Sequence, residues 1–231
     1  MRMDLDTLSS MAEYAFRNVR PDDLAFLFAS GKSEGFLRDQ LGIALNERLA
    51  LSGHENVTRE WKKHDLAVMN GNYPVLLIEG KSWICHDSYR KSKLLTDKKS
   101  IYQSSLNDVR KLIDTKKRYS DVSIYISTVI YGIDTTMRGT YKQFNITYGD
   151  SHNKGITSAG NFSNLVGISR SHATILHSAF GPTRRFPLRV SSYHGMSIEA
   201  DFFLTQIFEQ PSKDLLREVK GQFLNKTSLY G

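Results

Sequence analysis

His64-Asp65-Leu66-Ala67-Val68-Met69-Asn70-Gly71-Asn72-Tyr73-Pro74-Val75-Leu76-Leu77-Ile78-Glu79-Gly80-Lys81 is the stretch whose reading decides the fold. Residues 63–69 alternate, Asn70-Gly71-Asn72 is a strong hairpin turn, and the apolar run from Val75 is a buried strand that ends in polar residues. Side chains alternate along a strand, so Glu79 and Lys81 share a face while Gly80 looks away. Asp65 begins one arm of the hairpin and Glu79 ends the other, which predicts that the two carboxylates meet at one mouth of the sheet. Carboxylates a few ångströms apart repel unless a hard cation bridges them, and Mg²⁺ suits such oxygen ligands. A lysine one residue beyond such a ligand can orient or activate water at the same place.

Working outward, residues 1–33 read as two helices, with Pro21 ending the first and Gly31 stopping the second. Ser33 is an N-cap for a third helix over 34–51, striped by Leu37, Leu41 and Leu45, with Glu34 on that stripe. Residues 56–61 form a short strand ahead of the hairpin. Residues 93–118 are the clearest helix, with Leu95, Tyr102, Leu106, Val109 and Ile113 on one face and a basic last turn. Residues 121–131 are β-rich. Residues 145–171 are dominated by Gly, Ser, Asn and Thr, which predicts long loops, with short β-like pieces at 144–148 and 188–192. Residues 197–209 and 211–224 read as closing helices. The core order is helix, three strands, helix, strand.

That order, with Asp65 and Glu79-Gly80-Lys81 on a hairpin, resembles the PD-(D/E)xK nuclease superfamily from about Glu34 to Tyr131. One departure stands out: His64 occupies the place of the motif's proline. The resemblance implies an α/β fold with a central mixed sheet flanked by helices. Its expected layout is a single nuclease domain over 1–231: N-terminal helices 1–33, catalytic core 34–131, and DNA-contacting loops and closing helices 132–231. It also implies that Asp65, Glu79 and the Gly80 carbonyl hold Mg²⁺ and that Lys81 is the catalytic lysine. Glu34 matches a further acid that the family carries on its first core helix, although the helix macrodipole alone favours an acid there. Gln103 matches a glutamine beside some of the family's active sites, and equally suits a solvent-facing position.

A short chain without helicase or methylase motifs looks most like a Type II restriction endonuclease. Such an enzyme cleaves double-stranded DNA at a specific sequence, leaves 5′-phosphate ends, and pairs as a homodimer on a palindromic site. The alternatives are a structure-selective or repair nuclease and a catalytically silent DNA-binding protein of the same fold.

Charge agrees with a polyanionic partner. Residues 81–120 carry 11 Lys/Arg against 4 Asp/Glu, whereas residues 1–80 carry 9 against 12. Clustered cations gain by releasing counterions from phosphates. Lys98 and Lys99 on the basic helix are candidates for the DNA backbone. Arg184, Arg185 and Arg189, in the segment Gly181-Pro182-Thr183-Arg184-Arg185-Phe186-Pro187-Leu188-Arg189, read as a proline-stiffened loop that would contact bases or phosphates. The 231 residues hold one cysteine, Cys85, which excludes an internal disulfide and a Cys-rich zinc site. The seven histidines lack metal-ligand spacing. Gly31-Lys32-Ser33 and Gly80-Lys81-Ser82 lack the glycine that a phosphate-binding P-loop needs five positions earlier. No apolar run nears the roughly 20 residues of a membrane span. The expectation is a cytoplasmic, prokaryotic protein that uses no membrane.

Overall fold

The computed structural model describes residues 3–50, 55–89, 100–136, 140–144 and 146–228. Three helices come first: α1 (Leu5–Arg17), α2 (Pro21–Ala29) and α3 (Ser33–Ala50). Asp4 caps α1 by accepting the Thr7 N–H at 2.7 Å, and Pro21 starts α2 where no N–H is needed. Strands β1 (Glu55–Trp61), β2 (His64–Asn70) and β3 (Tyr73–Ile84) follow as an antiparallel meander. The β2–β3 turn places Gly71 at φ 59°, a conformation glycine adopts without strain. The register slips at Val68/Met69, opposite Pro74, which has no N–H to give to a ladder.

A 3-10 turn (Cys85–Tyr89) leaves β3, and α4 (Ile101–Arg118) crosses over to β4 (Ser123–Ile133), which pairs parallel with β3. A parallel neighbour requires such a crossover. The helix, three strands, helix, strand order is thus present. Helix α4 starts at Ile101, capped by Ser100, and Lys98 and Lys99 lie outside the described residues.

The remainder departs from expectation. After α5 (Thr140–Gln143), the expected loops of 145–171 are largely α6 (Gly149–Ala159) and α7 (Phe162–Phe180). Helix α7 buries Ser169, His172 and His177 beside Leu165, Ile168, Leu176 and Phe180. Its inward stripe is interrupted by polar residues, which hides the helical period. No strand forms at 144–148 or 188–192 among the described residues. Residues 183–187, expected as loop, are the edge strand β5 (Thr183–Pro187). Residues 198–207, expected as helix, are β6 (Ile198–Ile207), inserted between β4 and β5. Ile198, Ala200, Phe202 and Leu204 alternate as a strand, but Ala200, Phe203, Leu204 and Ile207 also fall at helical spacing, so periodicity alone does not separate the two. The chain closes with α8 (Lys213–Ser228).

The sheet order is β1-β2-β3-β4-β6-β5, a mixed α/β sheet. Residues 132–231 therefore supply two of its strands rather than mainly contacting loops. Helices α1–α3 bury Leu8, Phe28, Leu41 and Leu45 against one face; α4, α7 and α8 bury Tyr102, Val109, Leu165 and Phe223 against the other. Each such side chain contributes about 1.5–3 kcal/mol on burial. All eleven residues of β4 are buried, so the centre of the sheet is a rigid base for the hairpin. Among the described residues no helix is long and apolar enough to cross a membrane.

Candidate active site

Strands β2 and β3 pair as far as Leu66↔Ile78 and then part. Beyond that point β3 remains paired with β4 through Ile84, but its other edge has lost its ladder. Two carboxylates take over. Gly80 N–H donates to Asp65 Oδ2 at 2.7 Å, and Ser82 N–H donates to Glu34 Oε2 at 2.9 Å. An amide left without an acceptor costs about 1–3 kcal/mol when desolvated, so the backbone itself fixes both acids. Ser33 adds a hydroxyl contact to Ser82 at 3.2 Å, tying the first turn of α3 to β3. Glu34, Arg38, Asp65, Gly80 and Lys81 line one cavity at this fork, floored by Leu37, Leu41 and Ile78.

Glu79 points elsewhere. Its side chain is 2% exposed, and its Oε1 sits 2.5 Å from His64 Nδ1 and 2.6 Å from Lys111 Nζ of α4. The expected meeting of Asp65 and Glu79 at one mouth is altered by the chain's entry into β2. Lys62 and Lys63, at φ 46° and 71°, form the two-residue turn between β1 and β2, and His64 on the strand that leaves it faces α4, its Nε2 2.9 Å from the Thr115 hydroxyl. Asp65 then reaches along the sheet to Gly80, and His64, at the motif's proline position, covers Glu79.

The hydrogen bonds around His64 order themselves. Thr115 donates its hydroxyl to the Lys111 carbonyl at 3.0 Å, so its oxygen accepts from His64 Nε2–H at 2.9 Å. With Nε2 turned to Thr115, Nδ1 is the ring nitrogen that meets Glu79 Oε1. Trp61 stacks on the imidazole, its ring centroid 6.2 Å away.

Burial pushes the Glu79 carboxyl above its ordinary range, and the His64 and Lys111 contacts pull it part of the way back. Glu34 is likewise raised, first by the protein packed around its carboxylate, against the pull of Lys81 and the Ser82 N–H. Lys81 behaves differently. Burial works to lower it, but the 2.8 Å ion pair with Asp108, with Glu34 and Asp65 nearby, outweighs burial and raises it. Lys81 is therefore a firm cation and no base at neutral pH. Arg38 Nη1 lies 3.6 Å from Asp65 Oδ1 and 2.8 Å from Glu60, so Asp65 has a second cation beside it.

Oxygen donors of this kind suit Mg²⁺, which takes one or two carboxylates and completes its shell with water and substrate phosphate. Asp65 and Glu34 each spend one oxygen on an amide. Glu79 is neutralised by protein, and no three His, Cys, Asp or Glu form a ligand cluster among the described residues. Asp65 and Glu34 are thus the cavity carboxylates that could offer an oxygen to such an ion, each having given the other oxygen to an amide.

The other candidates lie apart from this cavity. Gln103 is on the flank of α4 that faces α8, its N–H given to the Ser100 cap. Arg184 pairs with Asp6 at 2.6 Å, and Arg185 pairs with buried Asp201 at 2.8 Å beside Arg170. Arg189 is exposed and has no ion pair among the described residues. The edge strand β5, with Arg184 and Arg185 both paired to acids, replaces most of the expected loop, and Arg189 lies just beyond it.

Arg38, Asp108 and Lys111 carry no motif signal in the sequence, and His64 enters it only as the residue at the motif's proline position. Arg38 was within reach, because it lies four residues after Glu34 and so on the same helix face. Asp108 and Lys111 are legible as a helical pair, but nothing local aims them at β3.

Glu34→Gln checks whether this acid belongs to the site. The amide can still accept the Ser82 N–H, so the melting temperature should stay within about 2 °C. If the chain cleaves DNA with Mg²⁺, as the resemblance implies, loss of the charge should slow cleavage of plasmid by about 10²-fold. An unchanged rate would return Glu34 to a purely structural role.

No protein-family model, no curated protein and no solved structure matches this chain.

Proposed function

We propose that the protein is a Mg²⁺-dependent deoxyribonuclease, a Type II restriction-like endonuclease that cuts double-stranded DNA and leaves 5′-phosphate ends. The observation that carries this reading is the fork of β2 and β3, where Asp65, Glu34 and the cationic Lys81 converge on one cavity over the Gly80 backbone. The strand and helix order around the fork supports membership of the PD-(D/E)xK group.

In this reading Asp65 and Glu34 hold the ion, which when bound supplies Lewis-acid activation of phosphate and water. Lys81 presents a fixed positive charge where negative charge grows on the phosphorus oxygens. Asp108 orients that ammonium from behind, and Arg38 balances Asp65 before substrate arrives. Glu79 is in this account a buried anchor, held by His64 and Lys111 beneath Lys81. A palindromic target would call for two copies of the chain.

Supercoiled plasmid incubated with the protein and Mg²⁺ should yield discrete bands whose sequenced ends share one motif. A smear with random ends would favour a repair or structure-selective nuclease. Binding without any cutting, in Mg²⁺ or Mn²⁺, would favour the silent DNA-binding alternative, which the sealed Glu79 also fits.

The role of Lys81 has its own pH signature. Its pKa lies above the ordinary 10.5 in the fold, so the protonated form is retained through neutral pH and lost only as pH climbs past that raised value. The cleavage rate should then show no fall attributable to this residue between pH 7 and about 10. A general-base lysine would instead give a rate that rises and levels off within that window, and a profile of that kind would overturn the assignment.

A further inference from the structure

We infer that the groove between α4 and α8 is a docking track for the phosphate backbone of duplex DNA, separate from the cavity at the fork. Lys213, Arg217 and Lys220 recur at i, i+4 and i+7 on α8, so they form one stripe along its exposed side. Arg110 of α4 faces them across the groove, and Tyr102 and Leu216 form its floor.

The groove is built. The Tyr102 hydroxyl donates to the Leu216 carbonyl at 3.2 Å, and the Tyr102 ring meets Phe223 with centroids 6.3 Å apart, so α8 is pinned to α4. Lys220 is held over the Tyr102 ring, its Nζ 5.3 Å from the centroid.

Charge decides the occupant. Among the described residues Arg110, Lys213 and Lys220 have no acid within ion-pair distance, whereas Arg170, Arg184 and Arg185 are all paired. Arg217 meets only Asp214, at 2.9 Å, with both side chains more than four-fifths exposed. Such a pair is worth little and yields readily to a phosphate.

The acids of α8, Asp214 and Glu218, fall off the stripe by the helical period. From Lys213 to Lys220 the stripe runs roughly 10 Å at 1.5 Å per residue. One DNA strand presents a charge about every 3.4 Å of axis, so three phosphates match this length. A concave track with regularly spaced cations fits a backbone better than a flat lipid surface.

The proposal shares only its partner, duplex DNA, with the cleavage reading, and its test runs in Ca²⁺ so that binding is read apart from cutting. The full chain is titrated with a random-sequence 30-base-pair duplex across a salt series. Wild type is compared with Lys213→Gln/Lys220→Gln and with the quadruple variant that adds Arg110→Gln and Arg217→Gln. All four positions are exposed, so the thermal midpoint should hold. Each phosphate contact removed should lower the slope of log Kobs against log[salt] by about one unit, giving a fall of roughly two and then three to four. Affinity should drop more than tenfold in 0.1 M salt.

Unchanged slopes, or a wild-type chain that does not bind the duplex, would overturn the proposal. So would a pair of variants that lose binding to phosphatidylserine vesicles while keeping duplex binding. Wild type that binds with the expected slope but leaves plasmid intact in Mg²⁺ would sink the nuclease reading and leave the groove standing.

Discussion

Asp65→Ala is expected to lower Mg²⁺-dependent cleavage of plasmid DNA by about 10³-fold while the protein still binds duplex in Ca²⁺. Asp65 and Glu34 hold the β3 amides on either side of Lys81, and in the proposed mechanism the Asp65 carboxylate is a donor for the ion as well as the acceptor of the Gly80 N–H. Removing a single preorganised electrostatic group in an active site typically costs 10²–10³ in rate, and loss of a metal donor adds to it. The structural penalty is small by comparison. The lost acceptor serves one amide at the open end of the hairpin, about 1 kcal/mol, which is a shift of roughly 2–4 °C in a chain of this size. Asp65→Asn separates the two contributions, since the amide oxygen can still accept from Gly80 while the charge is gone. It should melt like wild type and cleave like Asp65→Ala. If Asp65→Ala, purified free of other nucleases, cuts at the wild-type rate, the fork is not the active site.

The largest effect on stability is expected at His64. His64→Ala removes a side chain that is 1% exposed, leaves Glu79 buried with only the one-third-exposed Lys111 for company, and takes away the Nε2–H that Thr115 accepts. Breaking one partner of a buried ion pair costs about 3–5 kcal/mol, because the remaining charge keeps its desolvation penalty. That corresponds to a fall of roughly 6–20 °C, measured by calorimetry or circular dichroism at pH 7. Glu79→Gln added to His64→Ala should recover much of the loss, because a buried amide has no charge to desolvate. A double variant no more stable than His64→Ala would show that the loss came from the cavity alone. Glu79→Gln by itself tests the anchor role. Cleavage that falls only in step with stability fits an anchor, whereas abolished cleavage in a stably folded variant would bring Glu79 back among the ion's ligands.

Local pattern carried the N-terminal half of the fold. Pro21 and Gly31 delimit α2, the Leu37/Leu41/Leu45 stripe draws α3, and Gly71 fixes the hairpin, because each acts through its own backbone or through neighbours three or four residues away. The hairpin itself placed the start of β2 beside the end of β3, but the sequence set Asp65 against Glu79, whereas the Asp65 carboxylate meets the Gly80 amide. In the C-terminal half the same logic misled. Residues 198–207 place Ala200, Phe203, Leu204 and Ile207 at helical spacing and Ile198, Ala200, Phe202 and Leu204 at strand spacing, and pairing with β4 on one side and β5 on the other settles them as β6. Helix α7 was obscured because Ser169, His172 and His177 face inward, and it is tertiary contacts such as those of His177 with Thr205 and Thr128 that make that burial tolerable.

By itself the sequence determined which residues could hold charge at the open end of the hairpin: Asp65, Glu79, Lys81 and, one helix away, Glu34. Only the tertiary structure decided how those charges are shared. Strand β2 sets His64 on Glu79, and α4 brings Lys111 to the same carboxylate and Asp108 to Lys81. Glu34 meets Ser82, 48 residues further on, because β3 outruns β2 and leaves an amide that needs an acceptor. The electrostatic state of a side chain depends on charges that the fold brings within a few ångströms from distant parts of the chain, and no spacing along the sequence encodes that distance.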